Sequence, residues 1–429
     1  MKTRSKNRFI RVLVMMGVLA LALMLASAVV AQDAPPAQDA PAAATAATLT
    51  LGVTTTPAGG QGFWLTAVSF QGFWGRFGKG NGQYRQPRDV DRDAAGNIYV
   101  SDHRNSRVQK LSPTGTFLAS IGQAGRGAHK LLRPNAIAIS GNLLFVANTE
   151  NYRITVFNTT NGAFVREWGS KGTADGQFDM PNGVAVGPDN NIYVTDTFNH
   201  RIQVFTQEGV FLRKWGSLGS ADNQMRFPTH LDFDSAGNLY VADSNNNRIV
   251  VTDANGVFQR KFGASGTNPG QFRIPVGVEV GPDGFLYVSE AFGNRIQKLT
   301  TNGVYIAHWS EAGGVAISRP NGLLVTGDRL YATDLDANRV QIYMQISGAL
   351  NDGGQQALTL PAGTYNVTQA PKTGWTFDGA TCSGGSPTAI PWGDVSTAFF
   401  FNDTATTEIY TVLPEKQVRQ MRFLNRIRF

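Results

Sequence analysis

The chain has 429 residues, 16% of them charged, with 48 glycines, 10% aromatics and a formal net charge of +7. Charge this far below the ~25% of an average soluble chain, with abundant glycine and aromatics, favours short strands joined by tight turns. It excludes a coiled coil, a helical bundle and a disordered chain.

The positive charge is unevenly placed. Five basic residues and no acid lie within 1–11, whereas 63–345 carries 27 basic against 23 acidic residues. A nucleic-acid binder concentrates positive charge on its folded domain, so no nucleic-acid partner is expected.

Met1–Arg11 is basic, Val12–Ala31 is an apolar run, and Val29-Val30-Ala31 sets small residues before Gln32. This pattern predicts a signal peptide over 1–31. The run also reaches the ~20 residues that span a bilayer, which leaves an uncleaved membrane anchor as the alternative and would make the chain an extracytoplasmic ligand sensor. Both place the rest of the chain outside the cytoplasm, secreted or associated with the cell surface. Residues 32–62, rich in Ala, Pro and Thr, read as a linker with no core to build.

Prolines then fall at 87, 134, 181, 228, 275 and 320, spaced by 47 residues four times and by 45 once. Behind each comes the same sentence: in the third copy PNGVAVGPDNNIYVTDTFNHRIQVFTQEGVFLRKWG (181–216). An acid or amide ends one β-rich run (Asp102, Asn148, Asp196, Asp243, Glu290, Asp334), and an arginine opens the next (Arg107, Arg153, Arg201, Arg248, Arg295, Arg339). The third copy predicts strands at 183–186, 192–195, 201–205 and 210–215, separated by turn residues. Four strands per repeat in six copies predict an all-β, six-bladed β-propeller over 63–345. Copy six stops after its third strand at Tyr343, and Gly72-Phe73-Trp74-Gly75 upstream resembles a blade-ending strand. The N-terminal strand is therefore expected to complete the last blade and remove two open sheet edges. The apolar residue three before each proline (Tyr84, Leu131, Phe178, Met225, Phe272, Ile317) is expected to pin the inter-blade loop.

The phased copies resemble NHL repeats, most fully at Asn199-His200-Arg201-Ile202, then at Asn247-Arg248-Ile249, Asn294-Arg295-Ile296 and Asn338-Arg339-Val340. Blades ending in Trp-Gly or Phe-Gly, not Trp-Asp, disfavour WD40. The resemblance implies an exported, bacterial-type binding propeller. Related six-bladed folds include lactonases and an amidating lyase with metal in the channel.

Residues 346–398 are expected to hold a partial β-module, since LPAGTYNVTQ and GWTFDGATC are similar to prealbumin-like sandwiches of surface proteins. Cys382 is the one cysteine, which fits an interrupted module better than a reactive thiol. Asn402–Thr411, NDTATTEIYT, resembles a translated sequencing adapter, so 399–429 reads as an assembly artefact.

Among candidate sites, the acid–arginine pairs recur in every copy and are expected to be structural. The residue after each proline opens the innermost strand near the channel mouth: Arg88, Asn135, Asn182, Thr229, Val276 and Asn321. One step on, Ala136, Gly183, Gly277 and Gly322 are interrupted by Asp89 and His230. Irregularity inside a repeat is where function is expected. Arg88, Asp89, Asn135, Asn182, His230 and Asn321 are thus the candidate ligand-binding set. Asp89 and His230 lie in opposite blades and are expected to be too far apart to share a metal. Phe198 and Phe292, at corresponding hairpin tips, are candidate partner contacts. The other histidines fall in turns without ligand spacing, with His200 structural.

The expected protein is a monomeric binding scaffold that presents its loop faces to a protein or glycan, with no catalytic residues and no cofactor. The alternative is a channel-site lyase or lactonase using Asp89 and His230 with a divalent metal.

Overall fold

The computed structural model describes residues 47–55, 63–312, 315–350, 355–360, 364–369, 375–383, 397–400 and 409–411. The signal segment, the anchor alternative, the start of the linker and the tail beyond Thr411 lie outside the described residues.

Five antiparallel four-stranded sheets and the first four strands of a seven-stranded sheet form the six four-stranded blades of a propeller. Blade three runs Pro181–Val186, Ile192–Asp196, Arg201–Phe205 and Phe211–Trp215, within two residues of the sequence expectation. The six innermost strands neighbour one another in sequence order, and Pro320–Thr326 of blade six meets Pro87–Arg92 of blade one. A radial sheet has neighbours on both faces, so apolar residues are needed on both. Six hydrophobic cores accordingly sit between consecutive blades: Phe145 and Val156 of blade two pack with Ile192 and Phe205 of blade three, and Leu324 and Tyr331 of blade six with Val90 and Val100 of blade one. Each fully buried large side chain contributes roughly 1.5–3 kcal/mol. Tyr84, Leu131, Phe178, Met225, Phe272 and Ile317 are at most 2% exposed, as expected of residues that pin the inter-blade loops.

The recurrent acid is the hub of each blade. Asp196 accepts hydrogen bonds from Asn199 Nδ2 (2.8 Å), Arg201 Nε (2.7 Å), Gln203 Nε2 (3.0 Å) and the backbone N–H of Asp179 (2.7 Å). Arg201 in turn donates to the carbonyls of Thr173, Ala174 and Gln177 in the loop arriving from blade two. The same node forms around Asp102, Asp243 and Glu290. Blade two departs from it: Asn148 takes the hub position and Arg153 pairs with Glu167 instead, at 3.1 Å. The recurring pairs are thus structural.

A second bond sews each seam. The residue just before the repeat arginine sits in the left-handed region, with φ of 54° at Ser106, 57° at His200, 52° at Asn247, 50° at Asn294 and 54° at Asn338. Asparagine tolerates that region better than most residues, which accounts for its recurrence. Each of these side chains accepts the N–H of the residue before the next blade's proline: Ser106 from Arg133, His200 Nδ1 from Phe227 (3.1 Å), Asn247 from Ile274, Asn294 from Arg319 and Asn338 from Gln86. The last of these closes the ring from blade six to blade one. On the opposite face the buried tyrosines do similar work: Tyr99, Tyr193 and Tyr240 donate to carbonyls of Thr159, Ala254 and Thr301 in the following blade.

The blade-ending glycine is fixed by geometry. Gly169 has φ +105°, and a Cβ there would lie 2.6 Å from the Phe178 ring and 3.0 Å from the Tyr152 carbonyl.

Phe63–Trp74 pairs along Arg339–Leu350 and supplies the missing outer strand of blade six. Trp74 lies opposite Val340 as Trp168 lies opposite Ile154 and Trp215 opposite Ile202, and it packs on Tyr331 at 5.5 Å.

Downstream, Gln355–Leu360 and Trp375–Ser383 pair on either side of Ala47–Thr55. Thr364–Gln369 pairs with the closing strand, and Thr397–Phe400 and Ile409–Thr411 follow on that sheet. The linker expectation is corrected at Ala47–Thr55. The segment ATLTLGVTT alternates threonine with leucine or valine, and such β-branched alternation suits a strand. Strands are present in 346–398; the likeness to a prealbumin-like sandwich rests on the sequence.

Closure by the N-terminal strand joins the start of the propeller to its last blade. Deleting residues 63–77 is expected to lower the melting temperature of the whole propeller. An unchanged melting temperature would show that closure contributes nothing.

Candidate functional site

The innermost strand of each blade presents its free edge to the channel. Its second residue after proline faces the next blade at close range: a Cβ on Gly277 would lie 2.0 Å from the Asn321 carbonyl oxygen, and one on Gly322 would lie 2.5 Å from Asp89 Cα. Four blades keep this position small (Ala136, Gly183, Gly277 and Gly322). The two exceptions, Asp89 and His230, are 5% and 7% exposed.

Contrary to the expectation that opposite blades hold them apart, His230 Nδ1 lies 3.8 Å from Asp89 Oδ1. The close approach of the inner strands that excludes side chains elsewhere brings these two together. Asp89 Oδ2 accepts the N–H of Ile137 at 2.8 Å. Burial pushes the Asp89 carboxyl well above the usual carboxylate range, against the opposing N–H groups of Ile137 and Val90. Burial, then the charge of Arg88, lowers the His230 imidazole to about 4. His230 Nε2 is buried and has no hydrogen-bond partner among the described residues.

The remaining candidates line the same level. Asn135 and Asn321 are each 4% exposed, and the Asn135 Oδ1 is also buried without a partner. Arg88 and Asn182 are half-buried. Thr229 donates to the Val276 carbonyl, so it serves the seam. His103 joins this neighbourhood through Nδ1, 3.1 Å from the Pro134 carbonyl. Burial, followed by Arg88, depresses it to about 3. The other histidines are local: His129 stacks on Phe164 and His308 Nδ1 meets the Tyr305 hydroxyl.

Two residues further along the innermost strands lies a layer that the expectations above do not single out. The fourth position after proline reads Asp91, Ala138, Ala185, Asp232, Glu279 and Leu324, as irregular as the position two residues earlier. Each acid accepts an edge N–H from the next blade: Asp91 from Ile139 (2.8 Å), Asp232 from Val280 (2.7 Å) and Glu279 from Val325 (3.2 Å). Burial raises Asp91 to about 6 and Asp232 to about 7, and their mutual repulsion adds to the Asp232 shift. Glu279 is raised well above its ordinary value by burial and then by Asp232. Among the described residues, no group of three or more His, Cys, Asp or Glu side chains is placed to hold a metal ion.

Phe198 and Phe292 stand 51% and 61% exposed on the hairpin tips of blades three and five. Phe198 meets Phe227 edge-on at 5.3 Å, and the Phe292 N–H donates to the Arg273 carbonyl. The same loop face carries exposed Arg104, Arg226 and Arg273, none in an ion pair among the described residues. Arg133 pairs with Glu150, and Arg319 with Asp336. Phe77 and Leu218, 66% and 56% exposed on the inter-blade loops, extend the apolar content of this face. They bridge to Tyr84 and Met225, where the equivalent residues of other blades are Lys171 and Ser265.

A six-bladed propeller built on this repeat is a definite class of protein, and comparison with known sequences agrees. The NHL repeat model matches residues 84–111, 178–205 and 225–251, so the chain carries NHL repeats. It is 30% identical over 135 residues to the brain tumor protein of Drosophila melanogaster, covering 31% of this chain and 12% of that protein. It is also 35% identical over 98 residues to the mouse peptidyl-glycine alpha-amidating monooxygenase (Mus musculus), covering 21% and 10%. The chain therefore aligns with only about a tenth of either relative. A solved protein of unknown function from Bacteroides thetaiotaomicron shares the fold at 14% identity and a TM-score of 0.51, covering 70% of this chain and 90% of that one.

The channel acids give a pH test. A carboxyl whose folded value lies above its unfolded value of about 4 stabilises most below that value and loses its contribution as pH rises through the folded one. His230 and His103, lowered to about 4 and 3, act in the opposite sense between their folded values and about 6.5. The wild-type profile is therefore a composite. Asp232→Asn keeps an acceptor for Val280 N–H while removing one titration. Its melting temperature relative to wild type should shift in the variant's favour between pH 5 and pH 8. A difference independent of pH would overturn the assignment of Asp232 as a raised carboxyl.

Proposed function

We propose that this propeller is a non-catalytic binding scaffold whose loop face engages a protein partner with an acidic, partly apolar surface. The observation that carries this is the pairing of two exposed phenylalanines, Phe198 and Phe292, with Arg226 and Arg273 beside them, which form no ion pair among the described residues. Aromatic residues and arginine are the types enriched where proteins meet. Exposed phenylalanine favours a protein over a glycan, whose hydroxyl-rich surface gives it less apolar area to cover.

The test compares the wild-type chain with Phe198→Ser/Phe292→Ser and Arg226→Glu/Arg273→Glu in capture from extracellular proteins, alongside a panel of acidic and neutral glycans. Both double variants should lose at least tenfold of the captured protein, and raised salt should weaken capture through the arginines. Equal capture by wild type and variants would sink the loop-face proposal, and retention on glycans alone would move the partner to that class.

Export to the extracytoplasmic side is part of the same proposal and rests on Met1–Arg11 with Val12–Ala31. N-terminal sequencing of the exported chain should begin at Gln32. An intact Met1 in the membrane fraction would instead support the anchored sensor.

A second function has one observation behind it, the approach of His230 to Asp89. A lyase or lactonase here would use the pair as acid and base. The divalent metal that such a reaction would call on does not fit: Asp89 Oδ2 is taken by Ile137 N–H, and no third ligand is placed beside the pair among the described residues. The scaffold is therefore favoured.

A further inference from the structure

The most deeply buried arginines of this ring are neutralised. Arg201, Arg248 and Arg295 each contact a fully buried carboxylate at 2.7 Å or less. Arg88 opens the innermost strand of blade one, and its side chain meets neither an acid nor a hydrogen-bond acceptor among the described residues. Its Nε is buried. Burial, with the charges of Arg319 and Arg104, lowers it to about 10 against the attraction of Asp336, which itself pairs with Arg319. A half-buried guanidinium without an ion-pair partner gains most from an anion that completes it.

The groups around it are orphaned in a complementary way. Asn135 Oδ1 is an acceptor without a donor, and His230 Nε2 has no partner. These residues are 4% and 7% exposed. His103 Nδ1 lies 3.1 Å from the carbonyl of Pro134, next to Asn135, and Asp89, next to Arg88, accepts the N–H of Ile137 on the same strand as Asn135; the charge of Arg88 reaches both His230 and His103. Asp89 stands against His230. Such burial excludes a folded partner.

We infer that the channel mouth at Arg88, Asn135 and His230 binds a small hydroxycarboxylate. A carboxylate matches the planar fork of a guanidinium in two parallel hydrogen bonds. A hydroxyl on the neighbouring carbon supplies the donor that Asn135 Oδ1 lacks. His230 Nε2 serves the carboxylate as a donor or the hydroxyl as an acceptor, according to its tautomer. The site is separate from the loop-face phenylalanines and does not depend on what they bind.

The test is calorimetric titration of the full chain with D-gluconate and D-glucuronate, against D-glucose, which lacks the charge, and acetate, which lacks the hydroxyl. At least one hydroxy acid should bind, glucose should not, and acetate should bind at least tenfold more weakly. Arg88→Met should abolish binding while raising the melting temperature of the ligand-free chain, because it removes an unpaired, half-buried charge. A merely structural arginine would lower that temperature. Asn135→Leu, which leaves the charge in place, should weaken the hydroxy acid at least tenfold and leave acetate unchanged. Absence of binding by either hydroxy acid, or wild-type binding by Asn135→Leu, would overturn the site.

Discussion

The buried carboxylate that ends the second strand in five of the six blades sets the geometry on which the rest of the ring depends. In blade three, Asp196 gathers an arginine, an asparagine, a glutamine and a backbone N–H, and Arg201 carries the network into the loop arriving from the preceding blade. Buried ion pairs are weak evidence for stability as such, because desolvation offsets much of their attraction. Their value here is directional. Hydrophobic packing between blades is indifferent to small rotations, whereas a carboxylate with fixed donors on two segments allows one placement of hairpin and loop. Removing a single partner of such a node leaves a charge buried and costs roughly 3–5 kcal/mol. Blade two uses Asn148 and its own backbone contacts for the same end, which shows that the constraint is geometric more than electrostatic.

Around the channel, a different constraint applies. The innermost strands are open edges whose N–H groups need partners. In several seams a carboxylate from the preceding blade provides one: Asp89 for Ile137, Asp91 for Ile139, Asp232 for Val280 and Glu279 for Val325. Most of these carboxylates thus have a structural task, which weakens any account that reads an acidic channel as catalytic by composition alone. It also explains their raised values: they are placed by hydrogen bonding in a confined lumen, where burial and mutual repulsion disfavour their charge. Arg88, Asn135 and His230 differ because their unpartnered atoms serve no seam.

The propeller was legible because its determinants are periodic. A proline every 47 residues, an acid and arginine at fixed offsets and an aromatic-glycine ending repeat in the sequence as they do in space. Even the closing strand could be found, since Trp74 falls where Trp168 and Trp215 fall in their blades. Distances across the ring were not legible. Opposite blades are far apart in sequence, and the width of the channel follows from backbone approach at Gly277 and Gly322, which no local pattern states. Hence Asp89 and His230 could be picked as irregular but not as adjacent. The strand at Ala47–Thr55 was hidden for another reason: an Ala- and Pro-rich context masks a short alternation whose partners lie three hundred residues downstream.

A repeat protein separates scaffold from function more cleanly than most folds, because every residue can be compared with its equivalents in the same chain. Positions that agree across blades answer to the ring: the hub acid, the left-handed asparagine and the blade-ending glycine. Positions that disagree carry polar groups the ring does not require, and here they fall into two spatially distinct sets. One is exposed and mixes phenylalanine with arginine, suited to a surface that forms contacts over area. The other is buried and presents single unpaired donors and acceptors, suited to a ligand recognised atom by atom. Salt distinguishes them physically. Screening acts on the exposed arginines over a Debye length of about 8 Å at physiological ionic strength, but much less on a guanidinium shielded from solvent. Interactions at the two places should therefore differ in ionic-strength dependence even when both involve negative charge, because burial, not charge alone, determines how far an arginine feels the solvent.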